Sequence, residues 1–222
     1  MGIDRISHFL NRFGYGQPTG LDMNEELSGL IPTPEWKRNT KGVPWYPGDT
    51  VISAIGQGYM LTTPIQLASA VSAISKKGVR FKPRLLLKYK TPEGIYTHPA
   101  PEESQPVILN ESSTWDSVIH AMEMVIKSPH GTGVAFKGAP YSVAAKTGTA
   151  QVFTVKQHDD THNQNLPTYL RDHSLLIAFA PVENPQIAVA VVVENSHDAG
   201  LVARQVIDTY LLKLHHLELT SK

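Results

Sequence analysis

Two apolar runs limit what this chain can fold into more than any other feature. They are SLLIAFAPV at 174–182 and IAVAVVV at 187–193. Each is strand-length and well short of the roughly 18 to 20 apolar residues that cross a bilayer. The connection PVENP is short enough for a β-hairpin. A third strand is expected at about 141–154 and a closing helix at about 199–214. Upstream, helical patterns dominate. The order is helices, then an antiparallel sheet, then a last helix, which is an α+β arrangement.

The upstream helices carry their own punctuation. Ile3, Ile6, Phe9, Leu10 and Phe13 recur at helical spacing, and Gly14 ends the run. TPEWKRN offers Thr33 as a cap and Pro34 in the first turn. YPGDTVISAIGQGY predicts a short helix opened by Pro47 and closed by Gly56 and Gly58. TTPIQLASAVSAISKKG has the strongest start, because Thr63, Pro64 and Gln66 form a capping-box pattern. RLLLKYKT reads as a strand, and 92–106, with its prolines and acids, as a surface excursion. STWDSVIHAMEMVIKS predicts an amphipathic helix with Trp115, Ile119, Met122 and Ile126 on one stripe, broken by PHGTG. Trp36, Trp45 and Tyr46 fit core packing.

Hydrophobic residues make up 41% and charged residues 18%, which suits a packed core. Lys+Arg and Asp+Glu are both 20, without the basic excess of a nucleic-acid binder, so no nucleic-acid partner is expected. With no cysteine, disulfides, thiolate catalysis and zinc-thiolate sites are excluded. Met1-Gly2 lacks the Ser or Thr of a myristoylation signal, since Ile6 stands there.

The third strand holds a contradiction. AAKTGTAQVF puts Lys146, Thr147, Gly148 and Thr149 in a run that otherwise suits a core. Alternation places Thr147 and Thr149 on one side and Lys146 on the other side or the rim. Gly148 permits close backbone approach. On a sheet edge beside a cleft, two hydroxyls and an ammonium make a carboxylate clamp, and an exposed amide can donate to an oxyanion. A snorkelling lysine and a bulge would give the same tripeptide without any function.

Longer blocks decide between these readings. GTGVAFKGAPYSVAAKTGTAQV, IGQGYMLTTPIQLASAVSAISKKGVRFKPRLL, the opening MGIDRISHFLNRFGYGQPTGLDMNEELSGLIPTPEW, LRDHSLLIAFAP and VVVEN occur in order. Together they resemble the monofunctional, high-molecular-weight penicillin-binding proteins, which cross-link peptidoglycan, and among them the elongation transpeptidases. The resemblance covers nearly the whole chain. It implies a partial penicillin-binding transpeptidase (serine β-lactamase-like) fold. It implies an acyl-serine mechanism with no metal or organic cofactor, and a periplasmic site on the inner membrane. Partners implied are peptidoglycan stem peptides, β-lactams and an elongation glycosyltransferase. By the same resemblance Lys146 is the catalytic residue. Thr147, Gly148 and Thr149 bind substrate, with the Thr149 amide as one oxyanion donor.

Two family motifs are expected upstream of this segment. No serine here is followed three positions on by lysine, or two positions on by asparagine. Ser196-His197-Asp198 fits Ser-x-Asp in letters but follows the Lys-Thr-Gly strand, so Ser196 reads as a turn residue. Residues 1–222 are therefore expected to be the C-terminal part of a transpeptidase domain, without its nucleophile, pedestal or anchor, and inactive alone. A non-catalytic chain that binds cell-wall peptide or a partner is the second reading. A β-lactamase or β-lactam sensor is the third. His158, Asp159, Asp160 and His162 read as a solvated loop bordering the cleft rather than a metal site. Arg171, Asp172 and His173 read as a structural group at a strand start, and Gly56-Gln57-Gly58 as a helix-ending turn.

Overall fold

The computed structural model describes residues 1–97, 101–152 and 167–214. They form two compact units, Met1–Asn110 and Glu111–Lys222. The HDDTH loop lies outside the described residues.

The first unit contains α1 (Ile3–Arg12), α2 (Pro34–Lys41), α3 (Pro47–Ala54) and α4 (Pro64–Ser75). The caps behave as the sequence implies. Thr33 Oγ1 accepts the Trp36 amide at 3.1 Å. At α4, Thr63 Oγ1 accepts the Gln66 amide at 3.3 Å and Gln66 Oε1 accepts the Thr63 amide at 3.0 Å. Gln66 also donates from Nε2 to the carbonyls of Gln17 at 2.8 Å and Ser28 at 2.7 Å. This buried amide therefore ties the 17–28 loop to the start of α4 with its polar atoms satisfied.

Lys37 is the departure in α2. Its side chain is buried, and its ammonium lies 2.6 Å from Asp49 Oδ2. Asp49 also accepts the Tyr46 amide at 2.7 Å, which caps α3. The Tyr46, Tyr59 and Trp45 rings stand 4.8, 5.8 and 5.9 Å from the ammonium. Trp45 and Tyr46 thus wall in a cation instead of filling an apolar core, and Tyr46 remains exposed. The Lys37 hydrogen bond, then the Tyr46 amide, holds the Asp49 carboxyl below its ordinary range.

RLLLKYKT is a strand only at its end. After β1 (Arg80–Phe81), the chain is irregular through three exposed leucines, 85 to 87. Asp22 explains this: its carboxylate accepts the Leu85 amide at 2.6 Å and the Leu86 amide at 2.9 Å, which removes them from any ladder. β2 (Lys88–Thr91) then pairs antiparallel with β3 (Gly94–Thr97), and β4 (Glu103–Ser104) pairs with β1. The expected surface excursion at 92–106 thus carries the second strand of a hairpin, β3, and the short strand β4.

The second unit contains α5 (Ser113–Lys127), β5 (Ala144–Ala150), β6 (His173–Ala180), β7 (Ile187–Val193) and α6 (Ala199–Asp208). A π-helical segment, Thr209–Leu214, continues α6. The sheet is antiparallel in the order β5-β6-β7. The two apolar runs are its hairpin, closed by the Gln186 amide on the Ala180 carbonyl at 3.0 Å. Ala145, Leu176, Ala178, Ala180 and Val189 join Ala199, Ala203 and Ile207 of α6 and Phe136 in one core. Small residues at 199 and 203 let α6 lie close to the sheet. Trp115 and Met122 are the buried residues of the α5 stripe, and α5 packs against β5.

Arg204 on α6 holds both oxygens of Asp208 at 2.8 Å and donates to the Ala135 carbonyl at 3.2 Å. Tyr141 donates to Asp208 as well. These bonds connect α6 to the chain just before β5. Burial, reinforced by the Asp208 hydrogen bond, raises the Tyr141 phenol.

Candidate active site

β5 is an edge strand: it pairs with β6, and among the described residues no strand pairs with its other side. Its first two residues, Ala144 and Ala145, are fully buried. Exposure begins at Lys146 and includes Gly148 and Thr149. The strand is anchored by its apolar half and displays its tetrad, which resolves the contradiction in AAKTGTAQVF.

The register fixes the two faces. Thr147 lies opposite Leu176 and Thr149 opposite Ser174, on the face packed by α6. Lys146 lies opposite Ile177 and Gly148 opposite Leu175, on the reverse face. Lys146 Nζ donates to the Thr147 carbonyl at 2.7 Å, so the ammonium turns back along the strand. Thr147 Oγ1 lies 2.8 Å from Thr132 Oγ1. At Gly148 an added Cβ would come no closer than 3.4 Å, to Leu175 Cβ, an ordinary contact. Neither φ nor the neighbours within this chain demand glycine there.

Beside Thr147 and Gly148 opens a cavity of about 470 Å³, with Thr132, Val134, Ser174, His197 and Leu201 in its lining. Ser174 Oγ accepts the Ala199 amide at 3.1 Å, fixing the start of α6 at this wall. Ser196 donates to Asp198 Oδ2 at 2.6 Å and accepts the Asp198 amide at 3.3 Å. It is a turn residue, as its position after the tetrad implied. Asn195, at a left-handed φ of 52°, donates its amide to His173 Nδ1 at 3.0 Å and its side chain to the Arg171 carbonyl at 2.7 Å. The 171–173 group is thus tied into the strand-end turn. Gly56 and Gly58 adopt φ of 75° and 77° and close α3. Among the described residues no cluster of His, Asp and Glu has metal-binding geometry.

The structure brings Lys146, Thr147, Gly148 and Thr149 together on one exposed edge. Thr132, Ser174 and His197 were not singled out from sequence. Thr132 had a local signal, the glycines on both sides of it in PHGTG.

Comparison with known proteins shows the family. The family model for the penicillin binding protein transpeptidase domain matches residues 1–211. The chain belongs to the penicillin-binding protein transpeptidase family. It is 40% identical to the peptidoglycan D,D-transpeptidase MrdA of Escherichia coli K12, an alignment covering 100% of this chain and 36% of that protein. It is 31% identical to penicillin-binding protein 2A of Bacillus subtilis, over 94% of this chain and 28% of that protein. Among solved structures, Pseudomonas aeruginosa PBP2 in complex with WCK 5153 superposes with a TM-score of 0.79 at 39% identity, over 96% of this chain and 45% of that one. The chain spans about a third of the length of the MrdA proteins it matches.

Proposed function

We propose that residues 1–222 supply the Lys-Thr-Gly wall of a peptidoglycan D,D-transpeptidase. The observation that carries this reading is the tetrad displayed on the unpaired side of β5. A carboxylate arriving along that edge meets Lys146, two threonine hydroxyls and a glycine that leaves room for a second backbone. Thr147 and Thr149 bind the terminal carboxylate of a stem peptide or a β-lactam. The Thr149 amide serves as one oxyanion donor, and Lys146 favours the developing negative charge. The acyl group forms on a serine of a Ser-x-x-Lys motif, which none of these residues supplies.

Cell-wall cross-linking in elongation, a periplasmic site on the inner membrane and a glycosyltransferase partner belong to this proposal by family analogy. The Helicobacter pylori relative, 27% identical, is solved as a complex with MreC, which makes such a protein a second partner to test. Titrating the ¹⁵N-labelled chain with N-acetyl-D-Ala-D-Ala and with its C-terminal amide tests the clamp. The carboxylate form is expected to shift the amide signals of residues 146–149 at lower concentration than the amide form. Equal responses, or shifts elsewhere, would refute it.

A further inference from the structure

We propose that Thr132 is a positioning residue for the carboxylate clamp: it sets the direction of the Thr147 hydroxyl. The inference rests on the reading of β5 given above and adds a residue to it.

Thr132 is placed by its flanking glycines. The Gly131 amide donates to the Ser128 carbonyl at 3.0 Å and the Gly133 amide to the Val125 carbonyl at 2.8 Å. A Cβ on Gly131 would lie 2.2 Å from the Val125 oxygen. One on Gly133 would lie 2.8 Å from Ile126 Cγ1 and 3.0 Å from the Val125 oxygen. The turn is therefore pressed against the end of α5 as only glycine allows, and α5 packs on β5. Thr132, held between them, brings its Oγ1 to 2.8 Å from Thr147 Oγ1, fifteen positions along the chain.

The chemistry follows from one hydrogen per hydroxyl. Either threonine can donate to the other. If Thr147 donates to Thr132, it meets an anion with lone pairs only. If Thr132 donates to Thr147, the Thr147 hydrogen is left for the carboxylate, and two hydroxyls in series polarise each other. An anion at the clamp selects the second arrangement. Thr132 also holds the Thr147 side chain in one rotamer before ligand arrives, so less ordering remains to be done on binding.

The test uses the 222-residue chain with Thr132→Val, which keeps the shape and removes the hydroxyl, and Thr132→Ser, which keeps the hydroxyl. The first readout needs no ligand: three-bond couplings to the Thr147 γ-methyl report its χ1. One rotamer is expected in the unsubstituted chain and in Thr132→Ser, and averaging in Thr132→Val. The second readout is affinity for N-acetyl-D-Ala-D-Ala against its C-terminal amide. Thr132→Val should weaken the carboxylate form roughly two- to tenfold, the effect of one neutral hydrogen bond. The amide form should be unaffected, and Thr132→Ser should match the unsubstituted chain. A Thr147 rotamer unchanged in Thr132→Val overturns the positioning role, whether or not ligand binds. A loosened rotamer with carboxylate preference intact overturns its part in recognition. An unsubstituted chain with no carboxylate preference refutes the clamp itself, and the χ1 result still decides whether the hydroxyl pair orders Thr147.

Discussion

Gly148 is not accounted for by packing within this chain. A methyl group there would meet Leu175 at ordinary contact distance, and the backbone does not adopt the left-handed region. Glycine is therefore costly to the fold, through unfolded-chain entropy, without being required by it. Gly148→Ala is expected to leave urea stability unchanged or raise it by up to about 1 kcal/mol. The same substitution should weaken binding of N-acetyl-D-Ala-D-Ala if, as proposed, glycine leaves room for a second backbone along this edge. A destabilised variant with unchanged affinity would show that Gly148 serves packing instead. At this scale the tetrad was legible in sequence because lysine and glycine conflict with a core strand. Thr132 was not legible as a partner, because its contact with Thr147 exists only once α5 and β5 are packed.

Elements with polar punctuation were the most legible. Thr33 and Thr63 cap α2 and α4, and Pro34, Pro47 and Pro64 stand in the first turns of three helices. Thr63→Ala should cost about 1 kcal/mol in urea unfolding of the first unit; no change would mean that Gln66 alone holds the start of α4. The β2–β3 hairpin was harder to see because its strands are only four residues each and Pro92 suggested a loop. Competition from Asp22 for the Leu85 and Leu86 amides also has no sequence signature. Lys37 could not be placed from spacing, since its partners arrive from α3 and from the residues around it. The pair makes a pH prediction. The Asp49 carboxyl is lowered in the folded state, so the stability it contributes is present above the unfolded carboxylate range and is lost as pH falls through the folded value. Urea midpoints of the chain should fall on acidification below about pH 4, where unfolded aspartates protonate. Asp49→Asn should flatten part of that fall; an identical acid profile would contradict the role given to the pair.

For the whole molecule, the hairpin of two apolar runs specified the sheet, and its order β5-β6-β7 leaves the tetrad at an edge. Large apolar side chains remain outside the cores of both units. Val51, Ile52 and Ile55 are exposed at and just after α3, and Leu201, Val202 and Val206 on α6. Apolar exposure of this kind favours association. Sedimentation velocity should show average mass rising with concentration, and a constant monomer mass would contradict this. Whether this segment is the Lys-Thr-Gly wall of a penicillin-acylated site is tested most directly by transplantation. In a chimera, residues 1–222 replace the matching segment of Escherichia coli MrdA, and covalent labelling by a fluorescent penicillin is measured. The chimera is expected to be labelled, and Lys146→Ala to abolish or strongly slow that labelling. A folded chimera that takes no label, or one labelled equally fast with Lys146→Ala, would contradict this reading.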